Sequence, residues 1–261
     1  MARRIKYLLF LLLALQFSPA FSQFDTEALP DSIVNKILYN RIRTFGVVAT
    51  NLGYGIRYKT GKRLSYFKTR LWEFEGAYMY SYKQVRLLNP YYAYSKKYVY
   101  GKLNDVFFLR AGISWKKLLN RKPYYTGGVE VRLTYGGGVS LGIAKPYYLY
   151  VIYYHEVSPG QYTYETKTEQ FDPANNSWDD IYGRAPFTKG FGEMTFHPGL
   201  YAKIGLNFEF GKVQTKVKSL EIGGNIDVVP GGIVIMSGQK NTIVYPTLYL
   251  AFSFGKRFNK Y

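Results

Sequence analysis

The two histidines, His155 and His197, are the residues that come closest to a catalytic base in this chain. A histidine that is held by a carboxylate and lies beside a serine can activate a nucleophile for hydrolysis or acyl transfer. No motif ties such a set together here, and strand parity puts the two rings on opposite faces. We therefore expect rim or loop residues and no catalytic site. The nearby polar residues are Glu156, Ser158, Asp172, Ser177, Asp179 and Asp180.

Other site chemistry is sparse. The chain has no cysteine, so it has neither a disulfide framework nor a cysteine-based metal site. No metal-ligand cluster is evident in the sequence, and we expect no metal and no cofactor. The glycine-rich stretch 134–142, TYGGGVSLG, lies inside a predicted strand, where glycines make room for bulky neighbours or a bend.

The elements that position these residues show a period of two. From Val129 to Ile143 the odd positions are almost all apolar, whereas the even positions are charged, hydroxylated or small. Such alternation indicates a strand with two chemically different faces. Tyr (28 residues), Phe (18) and Gly (26) are frequent, a composition that favours strands and tight turns.

Counting in this way predicts an all-β fold of eight antiparallel strands in an up-and-down barrel. The predicted strands are 45–59, 64–83, 105–118, 125–144, 147–155, 199–211, 216–228 and 243–258.

The apolar faces could point inward, as in a soluble sandwich or a lipocalin-like barrel, or outward to lipid. The second face is rich in Gly, Ser, Thr and Ala, which a narrow eight-stranded lumen accommodates. Several strands also exceed the nine to eleven residues, approximately, that span a bilayer. We therefore predict a transmembrane barrel. Its aromatic girdle is predicted to include Trp72, Tyr78, Tyr80, Trp115, Tyr147, Tyr148 and Tyr153.

Parity then assigns the ionisable residues to the lumen. Like-charged rings line selective pores, whereas equal numbers of the two signs are suited to mutual pairing. We predict a salt-bridged plug, in which loss of one partner strands a buried charge. The predicted residues are Arg57, Lys59, Glu73, Glu75, Arg110, Lys116, Glu130, Arg132, Lys203, Glu209, Glu221 and Asp227.

The first residues predict export. Arg3, Arg4 and Lys6 precede an apolar run that ends before a small-x-small site at residues 20–22, the pattern of a cleaved signal peptide covering 1–22. A retained anchor helix is the alternative. Removal of these three basic residues lowers the net charge from +18 to +15. For an exported protein this charge favours anionic lipid headgroups over nucleic acid as the neighbour.

The C-terminal stretch TLYLAFSFGKRFNKY alternates and carries Phe252, Phe254 and Phe258. It resembles the terminal strand signature of Gram-negative outer-membrane proteins, although its last residues overshoot the usual terminal aromatic. Over residues 45–261 the chain resembles the small outer-membrane β-barrels of Bacteroidetes-type bacteria. The resemblance implies an outer-membrane location, contact with lipids including lipopolysaccharide, and insertion by the outer-membrane assembly machinery.

The domain plan has a periplasmic segment at 23–44 before the barrel at 45–261. Within that segment, hydrophobic spacing after Ser32 predicts a short amphipathic helix. The long loop 156–198 is expected outside the cell, and the connection 84–104 on the periplasmic side.

We expect a non-enzymatic protein that is structural or an accessory subunit of an envelope secretion or assembly complex. A small-solute channel and a lipid-A-modifying enzyme are the alternatives.

Overall fold

The computed structural model describes residues 39–120, 128–173, 175–210, 215–238 and 241–259. Within them the chain is almost entirely β. The strands are β1 (Arg41–Thr50), β2 (Gly53–Arg63), β3 (Lys68–Met79), β4 (Arg86–Leu87), β5 (Tyr98–Val99), β6 (Asn104–Asn120), β7 (Glu130–Pro146), β8 (Tyr148–Ser158), β9 (Gln161–Gln170), β10 (Ile181–Arg184), β11 (Thr195–Glu209), β12 (Lys216–Val228) and β13 (Val244–Phe258). One 3-10 helix covers Phe191–Glu193.

Eight of these strands form a closed antiparallel barrel in the order β1-β13-β12-β11-β7-β6-β3-β2. Closure is made by the pairing of the first and last strands, in which Phe45 lies opposite Phe254. A closed sheet has no free edge, so its backbone groups pair with each other. The predicted fold class, an eight-stranded antiparallel barrel, is therefore confirmed.

The predicted first strand, 45–59, was wrong because it is two strands joined by a tight turn at Asn51 and Leu52. Thr50 pairs with Gly53 across this turn. Residues paired across a hairpin point to the same face, so an even position in β1 corresponds to an odd position in β2. Val48, which parity had grouped with Ile56, is buried in the lumen, whereas Ile56 faces outward.

The predicted fifth barrel strand, 147–155, was also wrong. It belongs to β8, which leaves the barrel after Pro146 and forms a separate three-stranded sheet in the order β10-β8-β9. We call this the rim sheet. These two errors cancel in the strand count, because one predicted strand divides into two and another lies outside the barrel.

The division of 45–59 into β1 and β2 also moves the connection 84–104 to the opposite end of the barrel from the one predicted. We call the end of the barrel where β1 begins and β13 finishes the terminal end, and the opposite one the far end. Following the antiparallel strands, the connections 80–103, 147–194 and 229–243 all lie at the far end. Asn89 Nδ2 donates to the carbonyl oxygens of Asp179 at 2.8 Å and Ile181 at 2.9 Å. The connection 84–104 thus shares its side with the loop 156–198.

The barrel begins earlier than predicted. Arg41 already pairs with both β2 and β13, and Ile42 points into the lumen, so the last residues of the predicted 23–44 segment are strand. The predicted helix, apart from its last residues, and the predicted signal peptide at 1–22 lie outside the described residues.

Candidate functional site

The lumen is the most distinctive polar environment of the described barrel. Inward-facing positions of its strands carry charged side chains that are 1–8% exposed, or fully buried in the case of Asp227. The buried set comprises Arg57, Lys59, Glu73, Glu75, Arg110, Lys116, Arg132, Lys203, Glu209, Glu221 and Asp227. A buried charge is costly unless it is paired and hydrogen-bonded, so the partners of these groups decide what the lumen can do.

Glu221 of β12 is the centre of this network. Its Oε1 lies 2.9 Å from Arg57 Nη1, and its Oε2 lies 3.0 Å from Lys59 Nζ. The Tyr249 hydroxyl donates to Oε1 at 3.0 Å, and Asn207 Nδ2 donates to Oε2 at 3.3 Å. Each carboxylate oxygen of Glu221 therefore contacts at least one cation and accepts at least one hydrogen bond from a neutral donor.

Three further carboxylates complete the network. Arg57 Nε lies 2.6 Å from Glu75 Oε2 and 3.2 Å from Glu73 Oε1. Lys203, reaching across from β11, also pairs with Glu73. Arg110 of β6 contacts Glu75 at 2.5 Å and binds Asp227 of β12 in a bidentate pair. The charges that parity assigned to this part of the lumen thus bind one another.

A second group lies at the terminal end. Arg132 pairs with Glu130, and Arg257 pairs with Glu209. Arg257, together with Asn207 and Tyr249 in the central network, was not among the predicted site residues. The signal for Arg257 was present, because it continues the odd-numbered inward face of β13 past Gly255.

The far mouth of the lumen is closed by apolar side chains. Ile233, Ile235 and Met236, from the connection after β12, pack with inward residues that include Phe108 and Tyr245. The Tyr245 hydroxyl accepts from Ile233 N at 2.8 Å and donates to Ile233 O at 3.1 Å. A Cβ at Gly142 would lie 2.4 Å from Ile233 Cδ1, so the Ile233 side chain would have to move. The absence of a Cβ at this glycine of the TYGGGVSLG stretch therefore leaves room for the cap.

Asp105 joins the rim sheet to the barrel. This buried carboxylate lies 2.7 Å from Lys102 Nζ, 2.9 Å from Arg184 Nη2 and 3.8 Å from Lys145 Nζ. Burial lowers the pKa of Lys102, and the Asp105 carboxylate partly offsets this effect. Since Arg184 is on β10 and Asp105 on β6, the cluster attaches the rim sheet to the wall of the barrel.

The histidines stand on different elements. His155 is on β8, where its Nε2 lies 3.6 Å from Glu165 Oε2 and its side chain is exposed. His197 is on β11 of the barrel, with its Nε2 3.1 Å from Thr195 Oγ1. Neither contact includes a serine. Among the residues that the structure describes, no group of three or more His, Asp or Glu is arranged to hold a metal ion.

The predicted girdle residues divide into two groups. Trp72 is 52% exposed on the outward face, and Trp115 stacks on Tyr135 with a centroid distance of 5.8 Å. Tyr78 is half-buried next to Phe107, and Tyr80 is also half-buried. Tyr147 was wrongly assigned to the girdle, since it is buried beneath the rim sheet with Leu149 and Ile181. Tyr148 and Tyr153 belong to the rim sheet as well.

In the terminal strand, Phe252 and Phe254 face outward, and Phe258 is half-buried beneath the Arg43 guanidinium, which lies 5.0 Å from its ring centroid.

In the part of the chain that the structure covers, no helix has the length and apolar character needed to cross a bilayer.

No protein-family model matches the chain, and no curated protein matches it. Among solved structures, the chain is similar to Ail, the attachment invasion locus protein of Yersinia pestis, in complex with the heparin analogue sucrose octasulfate. That similarity has a TM-score of 0.37 and 11% identity over 85% of this chain and 100% of the other. The chain is also similar to Neisserial surface protein A, with a TM-score of 0.36 and 12% identity over 84% of this chain and 96% of the other.

Proposed function

We propose that this chain is an integral protein of the outer membrane of a Gram-negative bacterium. The observation that carries the proposal is the inverted polarity of the barrel. Ile56, Val139 and Ile204 are 56%, 60% and 59% exposed on its outer surface, while the charges lie inside. Exposed apolar surface of this extent is unfavourable in water and favourable against hydrocarbon chains. The Bacteroidetes-type resemblance and the cleaved signal peptide stay predictions.

A membrane-confined photolabel tests the insertion. We expect it to mark outward residues such as Phe74, Leu133 and Ile204 and to spare Glu73, Arg132 and Lys203 after reconstitution. The reverse pattern would refute a lipid-facing apolar surface. Separation of inner and outer membranes on a density gradient tests the location, and recovery with the inner membrane would contradict it.

Within that membrane we propose a non-enzymatic role, as a structural protein or an accessory subunit of an envelope secretion or assembly complex. The support is twofold. First, ion pairs and the apolar cap occupy the lumen, which disfavours transport. Second, β9 is an exposed edge strand of the rim sheet, and its Tyr162 and Tyr164 side chains are 68% and 70% exposed. Tyrosines at such positions are frequent in protein interfaces.

Affinity purification of the tagged full chain in a mild detergent tests the accessory role. We expect stoichiometric envelope proteins to co-purify, and to be reduced in a Tyr162→Ser, Tyr164→Ser variant. A matched Tyr82→Ser variant, altered outside the rim sheet, should retain them. A chain that purifies alone under crosslinking conditions would argue for a solitary structural barrel.

The two alternatives have direct tests. A channel should show steady openings in planar bilayers, and we expect none from the purified protein. A lipid-A-modifying enzyme should alter lipid A, so we expect unchanged lipid A mass spectra on deletion of the gene. Altered spectra in the deletion strain would support the enzyme instead, if the parent gene returned them to normal and a gene carrying His155→Ala and His197→Ala did not.

The proposed partners are outer-membrane lipids including lipopolysaccharide and, during insertion, the outer-membrane assembly machinery. The aromatic face of β13 supports the second proposal. Replacement of Phe252 and Phe254 by Ser should reduce insertion in cells, while the same change at Phe187 and Phe191, outside the barrel strands, should not. Equal insertion of all variants would show that the assembly machinery does not recognise the aromatic face of β13.

A further inference from the structure

The basic residues of the barrel wall are concentrated at one end. Nine exposed Lys and Arg residues occupy the outward positions of the strands at the terminal end. We call this set the basic arc: Arg41, Arg43, Lys62, Lys68, Arg70, Lys117, Lys216, Lys218 and Lys256. At the far end the outward positions of the same strands carry apolar or aromatic residues such as Tyr54, Val228 and Val244.

Neighbouring members of the arc lie directly opposite one another. Lys62 is paired in register with Arg41 on one side and Arg70 on the other. Lys256 is likewise opposite both Arg43 and Lys216, and Lys68 is opposite Lys117. Like charges at directly opposite positions of adjacent strands destabilise a sheet. Anions that lie against this surface would relieve the repulsion.

The described barrel strands supply no acidic side chain on this surface. At this level of the described strands, the acidic residues Glu73, Glu130, Glu209 and Glu221 all occupy inward positions, where they pair with lumen cations. The basic side chains of the arc and the carboxylates are thus separated by the wall of the barrel.

The arc also lies at the edge of the apolar band. Moving along the outward face toward the barrel centre, the next residue after Arg41 and Arg43 is Phe45, which is opposite Phe254 and Tyr58. The rings of Phe45 and Phe254 are 5.8 Å apart. Aromatic residues flank the apolar band of membrane barrels, and headgroups lie just beyond them.

The arc covers six of the eight barrel strands. It runs over β12, β13, β1, β2, β3 and β6, whereas the outward positions of β7 and β11 at the same level carry Val131, Leu133, Leu206 and Phe208. A surface that only needed solubility would not require this asymmetry. Lys and Arg in such a position can extend toward phosphate groups while their alkyl chains remain against apolar surface.

We propose that the basic arc is a binding surface for the phosphate headgroups of anionic phospholipids in the leaflet at the terminal end. The proposal rests on the insertion of the barrel in a membrane, and it adds a lipid class and a side. A protein partner is disfavoured because the arc continues directly into the lipid-facing apolar surface.

Tryptophan fluorescence offers a local test, since Trp115 is the cross-strand partner of Arg70 and Trp72 lies two residues further along β3. The third tryptophan, Trp178, is removed by Trp178→Phe. The full chain with this change is reconstituted in phosphatidylcholine vesicles that contain brominated phosphatidylglycerol or, in a parallel sample, brominated phosphatidylcholine at equal fraction. Bromine quenches only a tryptophan that it contacts.

We expect the anionic lipid to quench more strongly, with a relative affinity gain on the order of fivefold for each basic residue that meets a headgroup. The gain should fall at high salt, because exposed charges are screened. A variant with Arg41→Gln, Lys62→Gln, Arg70→Gln and Lys256→Gln should show a preference for the anionic lipid that is at least about fivefold smaller, because four of the nine basic residues are lost. The matched control Lys83→Gln, Arg86→Gln, Lys96→Gln, Lys97→Gln, which also removes four charges but from a far-end connection, should keep the preference.

Equal quenching by both lipids in the unsubstituted arc would overturn the proposal, as would a preference that the four substitutions leave undiminished. If neither lipid quenches, the barrel is not inserted, and the proposed membrane function fails instead. Because the substitutions remove repulsion, the variant should unfold in neutral detergent no more easily than the parent. If it does not fold, the single Lys62→Gln variant should still lower the preference.

Discussion

Arg110 and Asp227 form a bidentate ion pair across the lumen, with Nε to Oδ1 at 2.8 Å and Nη2 to Oδ2 at 2.7 Å. Arg110 is on β6 and Asp227 on β12, and two other strands, β7 and β11, lie between them around the wall. The pair therefore connects parts of the barrel that the backbone ladder does not join directly. Lys203 and Glu73, on β11 and β3, make the same kind of connection.

Arg110→Met should destabilise the barrel by about 3–5 kcal/mol, because it leaves Asp227 buried without its cation and leaves Glu75 with Arg57 as its cation partner. Urea unfolding of the protein in zwitterionic vesicles, followed by tryptophan fluorescence, measures this loss. The exposed substitution Lys97→Gln provides the control and should change stability by no more than about 0.5 kcal/mol. Equal stability of the two variants would mean that the cross-lumen pair contributes nothing.

Lys203→Met should cost less than Arg110→Met, about 1–3 kcal/mol, because Glu73 keeps other cations after the change. Arg57 Nε lies 3.2 Å from its Oε1 and Lys59 Nζ 3.5 Å from its Oε2. The same urea titration gives the comparison. The single Glu73→Gln variant and the Glu73→Gln, Lys203→Met double variant complete a double-mutant cycle. Strictly additive losses of unfolding free energy would show that the two residues are not coupled.

Asp105→Asn should loosen the rim sheet while the barrel remains closed, because Lys102, Lys145 and Arg184 lose their shared carboxylate. We expect faster proteolysis within 148–184 and an unchanged unfolding midpoint for the barrel. The measurement is limited proteolysis with mass spectrometry. Asp179→Asn, which leaves the carbonyl contact of that residue to Asn89 intact, is the matched control. Protection equal to that of the parent would exclude Asp105 as the attachment point.

Tyr92 should titrate late in alkali. Partial burial and the hydrogen bond between its hydroxyl and that of Tyr154, at 2.5 Å, raise the pKa of Tyr92 to about 12. A tyrosine whose pKa is raised by folding stabilises the fold below its ordinary pKa of about 10, and this contribution is lost as the pH rises toward 12. Difference absorbance of the parent and Tyr92→Phe should show one fewer tyrosine titrating near pH 12. Titration of the missing group near pH 10 would contradict the expectation.

Tyr94→Gly should stabilise the far-end loop by up to about 1 kcal/mol. Tyr94 has a φ of 62° and a side chain that is 94% exposed, so the left-handed backbone is strained and no packing is lost. Relief of this strain stabilises the loop by about 1–2 kcal/mol. The greater conformational entropy of glycine in the unfolded chain cancels about half of that gain. Hydrogen exchange over 89–96 measures the gain. Ala93→Gly is the control and should speed exchange, and slower exchange in both would point to a different cause.

The lumen charges could be predicted because side-chain direction in a strand alternates strictly along the chain. Once Leu133 is placed outward, Arg132 must point inward, whatever the partner strand is. The partners could not be predicted in this way. Glu221 meets Arg57 because the barrel closes with β2 and β12 at a particular distance across the lumen, and no local pattern contains that distance. Tyr249 and Asn207 joined the network for the same reason.

The alternation in the sequence alone determined that this chain is built of β-strands with apolar residues on one face and charges on the other, since the period of two is a property of each strand. The tertiary structure alone decided which alternating segments belong to the wall. The strand 147–155 has the same pattern as a barrel strand, yet β7 pairs with β11 instead, because their backbone ladder from Ala144 to Glu130 closes the ring without it. Pairing between distant segments depends on closure of the whole sheet, and that condition is not local.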